Sequence, residues 1–210
     1  MRPSPTPLLT DDGCLTPMAV DLLAALAAVD RELLVRARVK RTGGDVLWFP
    51  WYRRRRGGGA FVVGRTIRFT PNWYAATGYG RSSFGDHSRR STLRWLMHLA
   101  HEVGHLPQAE RFGQHALGRL RYLLAFAGQY GSRALLGRWP VHDGALLERE
   151  ADRGRWVLRE LLVQDRRKGL LLVKAVQADD RDAVLDWLRQ ATPLIGQLQT
   201  RYDRELAMAR

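Results

Sequence analysis

His101-Glu102-x-x-His105, inside the stretch Leu96-Met97-His98-Leu99-Ala100-His101-Glu102-Val103-Gly104-His105, restricts the fold more than any other part of the chain. Residues four apart on a helix lie about one turn apart on the same face. Placed so, His101 and His105 aim two imidazoles at one cation, and Glu102 sits beside them within reach of a metal-bound water. Zinc held by neutral nitrogens lowers the pKa of that water to about 7, and a carboxylate can then accept its proton. This is the chemistry of hydrolytic attack on a peptide carbonyl. The context favours a helix: Leu93, Leu96, Met97, Ala100 and Val103 or Gly104 recur at helical spacing and give the ligands an apolar back. Ser91 or Thr92 is placed to cap its start, and Pro107 is expected to discourage its continuation past Leu106.

Two histidines leave such a site incomplete, because catalytic zinc usually takes three protein ligands and keeps one position open. Cys14 is the only cysteine, so no intrachain disulfide and no thiolate cage can form, and the remaining ligands must be His or carboxylate. The best source is Leu147-Glu148-Arg149-Glu150-Ala151-Asp152-Arg153. Glu148 and Asp152 share a helix face. Glu148 can then bind the ion while Asp152 accepts the outer N–H of a ligand imidazole. Glu150 points to a different side and is the reserve ligand. Alone, this segment describes an ordinary solvated helix face; paired with His-Glu-x-x-His it describes the second half of a metal site. His98 lies on the same broad face as His101, although a hydrogen-bonded helix histidine is the commoner role there. Negative charge developing on a carbonyl oxygen calls for a donor, and His142, Tyr122 and Tyr130 are the candidates.

His-Glu-x-x-His followed by Glu-x-Glu-Ala-Asp-Arg resembles the gluzincin peptidases, in particular the family of the CAAX prenyl endopeptidases and the bacterial membrane-protein quality-control peptidases. The resemblance implies Glu148 as third zinc ligand and Asp152 as the supporting aspartate. Gly64–Pro71 and Leu99–Gln108 are also similar to a group of bacterial metallopeptidase-like domains, some of them associated with extracellular contractile injection systems. Their acidic helix often reads Glu-x-Glu-Ala too, which keeps Glu150 open beside Glu148. The membrane helices of the first family have no counterpart here, so its membrane substrates do not carry over.

The expected fold is α+β and zincin-like, with a small β-sheet and a predominantly helical remainder. Residues 1–15, with three prolines, read as a flexible leader; 16–165 as the metallopeptidase-like domain; and 166–210 as a helical extension packed on it. Pro17 opens a helix whose apolar stripe runs from Met18 to Leu34. Val46–Tyr52 and Ala60–Phe69 read as strands, and Trp73–Asp86 as a loop bordering a cleft. Leu117–Tyr130 reads as an amphipathic helix with Leu117, Leu120, Leu123, Leu124 and Ala127 on one face, and a long helix is expected from near Gly144 to about Asp165. Beyond Leu170, Val173, Val176, Val184, Leu185, Leu188, Leu194, Ile195 and Leu198 are the expected packing residues.

A content of 45% hydrophobic and 26% charged residues supports a packed core and argues against wholesale disorder. The net charge of +13 is carried almost wholly by arginine. Attraction to an acidic partner or nucleic acid is one consequence, and Trp48–Arg56, with the run Arg53–Arg56, is the best candidate segment. A solvated arginine-rich surface is the simpler reading, since no nucleic-acid recognition motif accompanies the charge. No apolar run approaches the ~20 residues of a membrane span, and the N-terminus lacks signal-peptide features. The expectation is a zinc-dependent peptidase acting on a protein or peptide, cytoplasmic as synthesised, with export or injection as an effector or toxin by a non-standard route as a variant of it. The alternative from another class is a basic nucleic-acid-binding protein with a structural or vestigial zinc site.

Overall fold

The computed structural model describes residues 6–41, 59–69, 89–138 and 144–208. Within them the chain is mostly helical with one small sheet, an α+β arrangement. The expected strand Val46–Tyr52, the Trp48–Arg56 segment, the Trp73–Asp86 loop and His142 lie outside the described residues.

Helix α1, Pro17–Ala27, starts where Thr16 accepts the Ala19 N–H and Pro17 takes the first helical position, whose N–H would have no helical partner anyway. The apolar stripe does not continue as one helix to Leu34. Ala28 turns left-handed at φ 53°, and Asp30 caps a second short helix, α2 (Arg31–Arg36), by accepting the Glu32 N–H. Strand β1, Arg38–Arg41, follows directly. The run expected to be a single strand folds back on itself: β2 (Ala60–Val63) and β3 (Thr66–Phe69) pair antiparallel across Gly64-Arg65, with Gly64 at φ 59°. β3 is central, parallel to β1 on its other side. Residues 6–15 are no loose leader: Leu8, Leu9 and Leu15 are buried in the core, and the Val39 N–H donates to Gly13 O.

The motif-bearing helix α3, Arg89–Glu102, lies between the sheet and a helical layer. Phe69 of β3 meets its Trp95 at 5.1 Å between ring centroids. On the other side it packs on α7 (Arg153–Gln164), α8 (Arg166–Gln177) and α1. Its Trp95, Leu96, Leu99 and Ala100 are fully enclosed. Helix α4, His105–Phe112, leads into α5, Ala116–Leu135, and α6, Leu146–Ala151, runs into α7 with only Asp152 between them. The last helix, α9 (Arg181–Met208), crosses α1, α7 and α8. Asp21 of α1, buried, pairs with Arg31 and with Arg181 and so ties the two ends of the chain together.

Helix α5 departs most from expectation. Leu117, Leu120, Leu123 and Leu124 are 53%, 50%, 41% and 59% exposed. The buried side instead carries Gly118 and Tyr122, with Phe126, Gln129, Tyr130 and Arg133 half-buried along it.

Candidate metal centre

The two histidines come from different helices. Pro107 has no N–H to offer the Val103 carbonyl, which takes the Leu106 N–H at 3.1 Å instead, and the Gly104 N–H bonds three residues back to His101 O. The break therefore falls at Val103-Gly104, before His105 rather than after Leu106, and Pro107 sits in the first turn of α4. The helical path is nearly preserved, with Gly104 at φ −63° and ψ −22°. The two imidazole rings still face one space, their centroids 5.0 Å apart.

Glu148 arrives on α6, whose start is held by α5: Gln129 accepts the Leu147 N–H at 3.1 Å, and Arg133 donates to Gly144 O at 3.0 Å. Glycines let the two motif segments touch. A Cβ on Gly104 would stand 2.2 Å from Ala151 O, and one on Gly154 2.5 Å from Ala100 O, so backbone meets backbone at both points.

One ligand atom from each of His101, His105 and Glu148 lies within 4.8 Å of the others. His101 Nε2 is 3.2 Å and His105 Nε2 3.5 Å from the same Glu148 Oε2, and all three side chains are buried. Among the described residues this is the one His/Cys/Asp/Glu group of that kind. Behind it, His101 Nδ1 lies 2.9 Å from Asp152 Oδ1, the support expected of Asp152, and Arg155 pairs with the same oxygen. An ionised carboxylate can only accept, so Nδ1 carries the hydrogen and a neutral His101 turns a lone pair toward Glu148. A lone pair and a carboxylate oxygen at this distance need a cation or a proton between them. The donor set fits a metal ion: two imidazole nitrogens and one carboxylate oxygen suit the borderline divalent cations.

The electrostatics carry the same sign. Burial pushes the His101 imidazolium down, but Asp152, Glu148 and the nearby Glu102 outweigh it and raise its pKa to about 9. Burial works to raise the Asp152 carboxyl, yet its bond from His101 and the Arg155 charge hold it below the usual carboxylate range. His98, half-buried, is pushed down to about 3, first by burial and then by Arg155, and it lies outside the converging group.

Glu102, the last residue of α3, is buried and close enough for its charge to act on both His101 and Tyr122. Glu150 lies outside the converging group and pairs with Arg111 at 2.9 Å. Tyr130 donates its hydroxyl to Glu148 Oε1, and Tyr122 donates toward Gln108 Oε1 at 3.5 Å. Burial and the charges of Glu102 and Glu148 raise the Tyr122 pKa, so the phenol keeps its proton. Phe126 sets its ring against His105 at 5.4 Å.

Sequence reasoning missed Gln108 and Phe126 and read Gly104 only as a candidate for the apolar back of the helix. Gln108 lies one helical turn past His105, but the burial that gives it a role is not visible in the sequence. No family model, curated protein or solved structure matches the chain. No helix among the described residues is long and apolar enough to cross a membrane.

Proposed function

We propose that the chain is a zinc metallopeptidase of the gluzincin type on a zincin-like fold, hydrolysing peptide bonds in a protein or peptide substrate. The observation that carries this reading is the convergence of His101, His105 and Glu148 on one enclosed point with Asp152 behind His101. Three donors among the described residues are the number of a catalytic zinc site, where a structural site usually closes with four. Bound zinc supplies a polarised carbonyl and a more acidic water. Glu102 accepts the proton of the attacking water and returns it to the leaving amine, a role for which it lies buried and close to His101. Asp152 holds the His101 ring with its hydrogen on Nδ1, and Tyr130 steadies the Glu148 carboxylate through Oε1.

Metal analysis of the purified protein tests the site, and a peptide-library cleavage screen tests the reaction. The expected result is about one zinc per chain, lost in His101→Ala and in Glu148→Gln. Glu102→Gln is expected to retain zinc and lose cleavage. Full cleavage by Glu102→Gln removes Glu102 from the mechanism, and a wild-type protein that takes up no zinc ends the assignment.

A further inference from the structure

Gln108 is 2% exposed and has no part in the converging group, yet its amide meets four partners around it. Its Nε2 donates to the Leu147 carbonyl at 2.7 Å, its Oε1 lies 2.9 Å from His105 Nδ1, and the Tyr122 hydroxyl approaches the same Oε1 at 3.5 Å. A fourth contact runs from Nε2 to Glu150 Oε2 at 3.4 Å. The amide cannot be turned over without loss. A carbonyl oxygen only accepts, so the group facing Leu147 must be the NH2, and the group facing His105 must be the carbonyl oxygen.

From this orientation we propose that Gln108 is a positioning residue that fixes the tautomer of His105 and locks it to the backbone carrying Glu148. Facing an acceptor, His105 Nδ1 is the protonated nitrogen, and Nε2 is left as the lone pair that points at Glu148 Oε2. The same side chain grips Leu147, the residue before Glu148, so one amide sets the separation between the ligand on α4 and the ligand on α6. Tyr122, which reaches across from α5, is the third point that keeps the amide from rotating. The two imidazoles are thereby held by unlike acceptors, a carboxylate backed by Arg155 behind His101 and a neutral amide behind His105. A neutral acceptor adds no fourth negative charge to a pocket that already holds Glu102, Glu148 and Asp152.

The inference rests on the metal-site reading for its affinity readout and stands apart from it for the others. In the zinc-loaded full-length protein, nitrogen-detected NMR is expected to show His105 with its proton on Nδ1 and with exchange slowed by the bond to Gln108. Gln108→Met, which keeps the length and removes both polar ends, is expected to speed that exchange and to weaken zinc about ten- to a hundredfold in a chelator competition. A double-mutant cycle of Gln108→Met with His105→Phe, read as urea unfolding of the metal-free protein, is expected to give a coupling of about two- to tenfold in the unfolding constant. If the wild type takes no zinc, the peptidase reading falls and the cycle still decides on Gln108. His105 found with its proton on Nε2, or a folded Gln108→Met with wild-type zinc affinity and no coupling, overturns the inference. Should Gln108→Met fail to fold, the wild-type tautomer and exchange rate decide it alone.

Discussion

Without metal, something must lie between two imidazole nitrogens and one carboxylate oxygen, and a proton on His101 does it. The raised His101 pKa, about 9 against an ordinary value near 6.5, has a definite sign in stability. A group whose pKa is higher in the folded chain binds its proton more tightly there. Its contribution is complete below about pH 6.5 and is lost as the pH climbs through about 9. Metal-free protein is therefore expected to show a urea midpoint that declines over that interval, and saturating zinc, which binds the neutral imidazole, is expected to flatten the decline. Asp152 acts at the acid end: its depressed pKa contributes stability above roughly pH 4 that is lost as the pH falls through the folded value. Denaturant titrations of both forms from pH 5 to 10 check the first statement, and a metal-free midpoint rising over the alkaline interval contradicts it. The letters of the converging group, His101, His105 and Glu148, and of Asp152 behind His101 were legible because few side chains can take such places. Gln108 was not, because nothing in a single chain marks which of many glutamines is buried against an imidazole.

Elements were legible where one apolar stripe met one core. α1, α8 and α9 present such stripes, and Leu22, Leu26, Val176, Val184 and Ile195 are buried as their spacing required. α5 broke the rule because it has two apolar faces. The leucine stripe is the more regular, but Tyr122, Phe126 and Tyr130, spaced by four, form the side that stacks toward His105 and Glu148. Periodicity ranks faces by hydrophobicity, and here the face with hydroxyls that can bond to buried partners is the one turned inward. Glycines offer a sharper test of how the elements meet. Gly104→Ala forces a methyl against the Ala151 backbone at 2.2 Å, where no flexible side chain can yield. The expected cost is about 1–3 kcal/mol, with zinc affinity falling as α6 is pushed away. Gly131→Ala in α5 meets nothing within 4 Å and removes a helix-weakening residue, so it is expected to gain about 0.5–1 kcal/mol. Thermal melts of the two variants separate close packing from helix propensity, and equal effects of one sign refute the account.

At the scale of the molecule, the segment 166–210 read as an extension, and in the fold it forms part of the walls. α8 lies against α3, the helix that carries His101 and Glu102, and α9 spans α1, α7 and α8. α9 alone buries Val184, Trp187, Leu188, Ala191, Ile195, Leu198 and Leu206. At about 1.5–3 kcal/mol for each large apolar side chain, this amounts to on the order of 10 kcal/mol. A whole domain has a net stability of only about 5–15 kcal/mol, so removing α9 takes away a comparable amount. The cut also strips Arg181 from Asp21, leaving a buried carboxylate with Arg31 as its remaining ion-pair partner, and opens the sides of α1, α7 and α8 that α9 packs against. Truncation after Asp180 is therefore expected to abolish cooperative folding and with it the proposed zinc binding, although His101, His105 and Glu148 are all retained. Circular dichroism melts and metal content of the truncated chain check this. A shortened protein that melts sharply and still binds zinc would show that the first 180 residues fold without their last helix, and that α9 only covers a domain already complete.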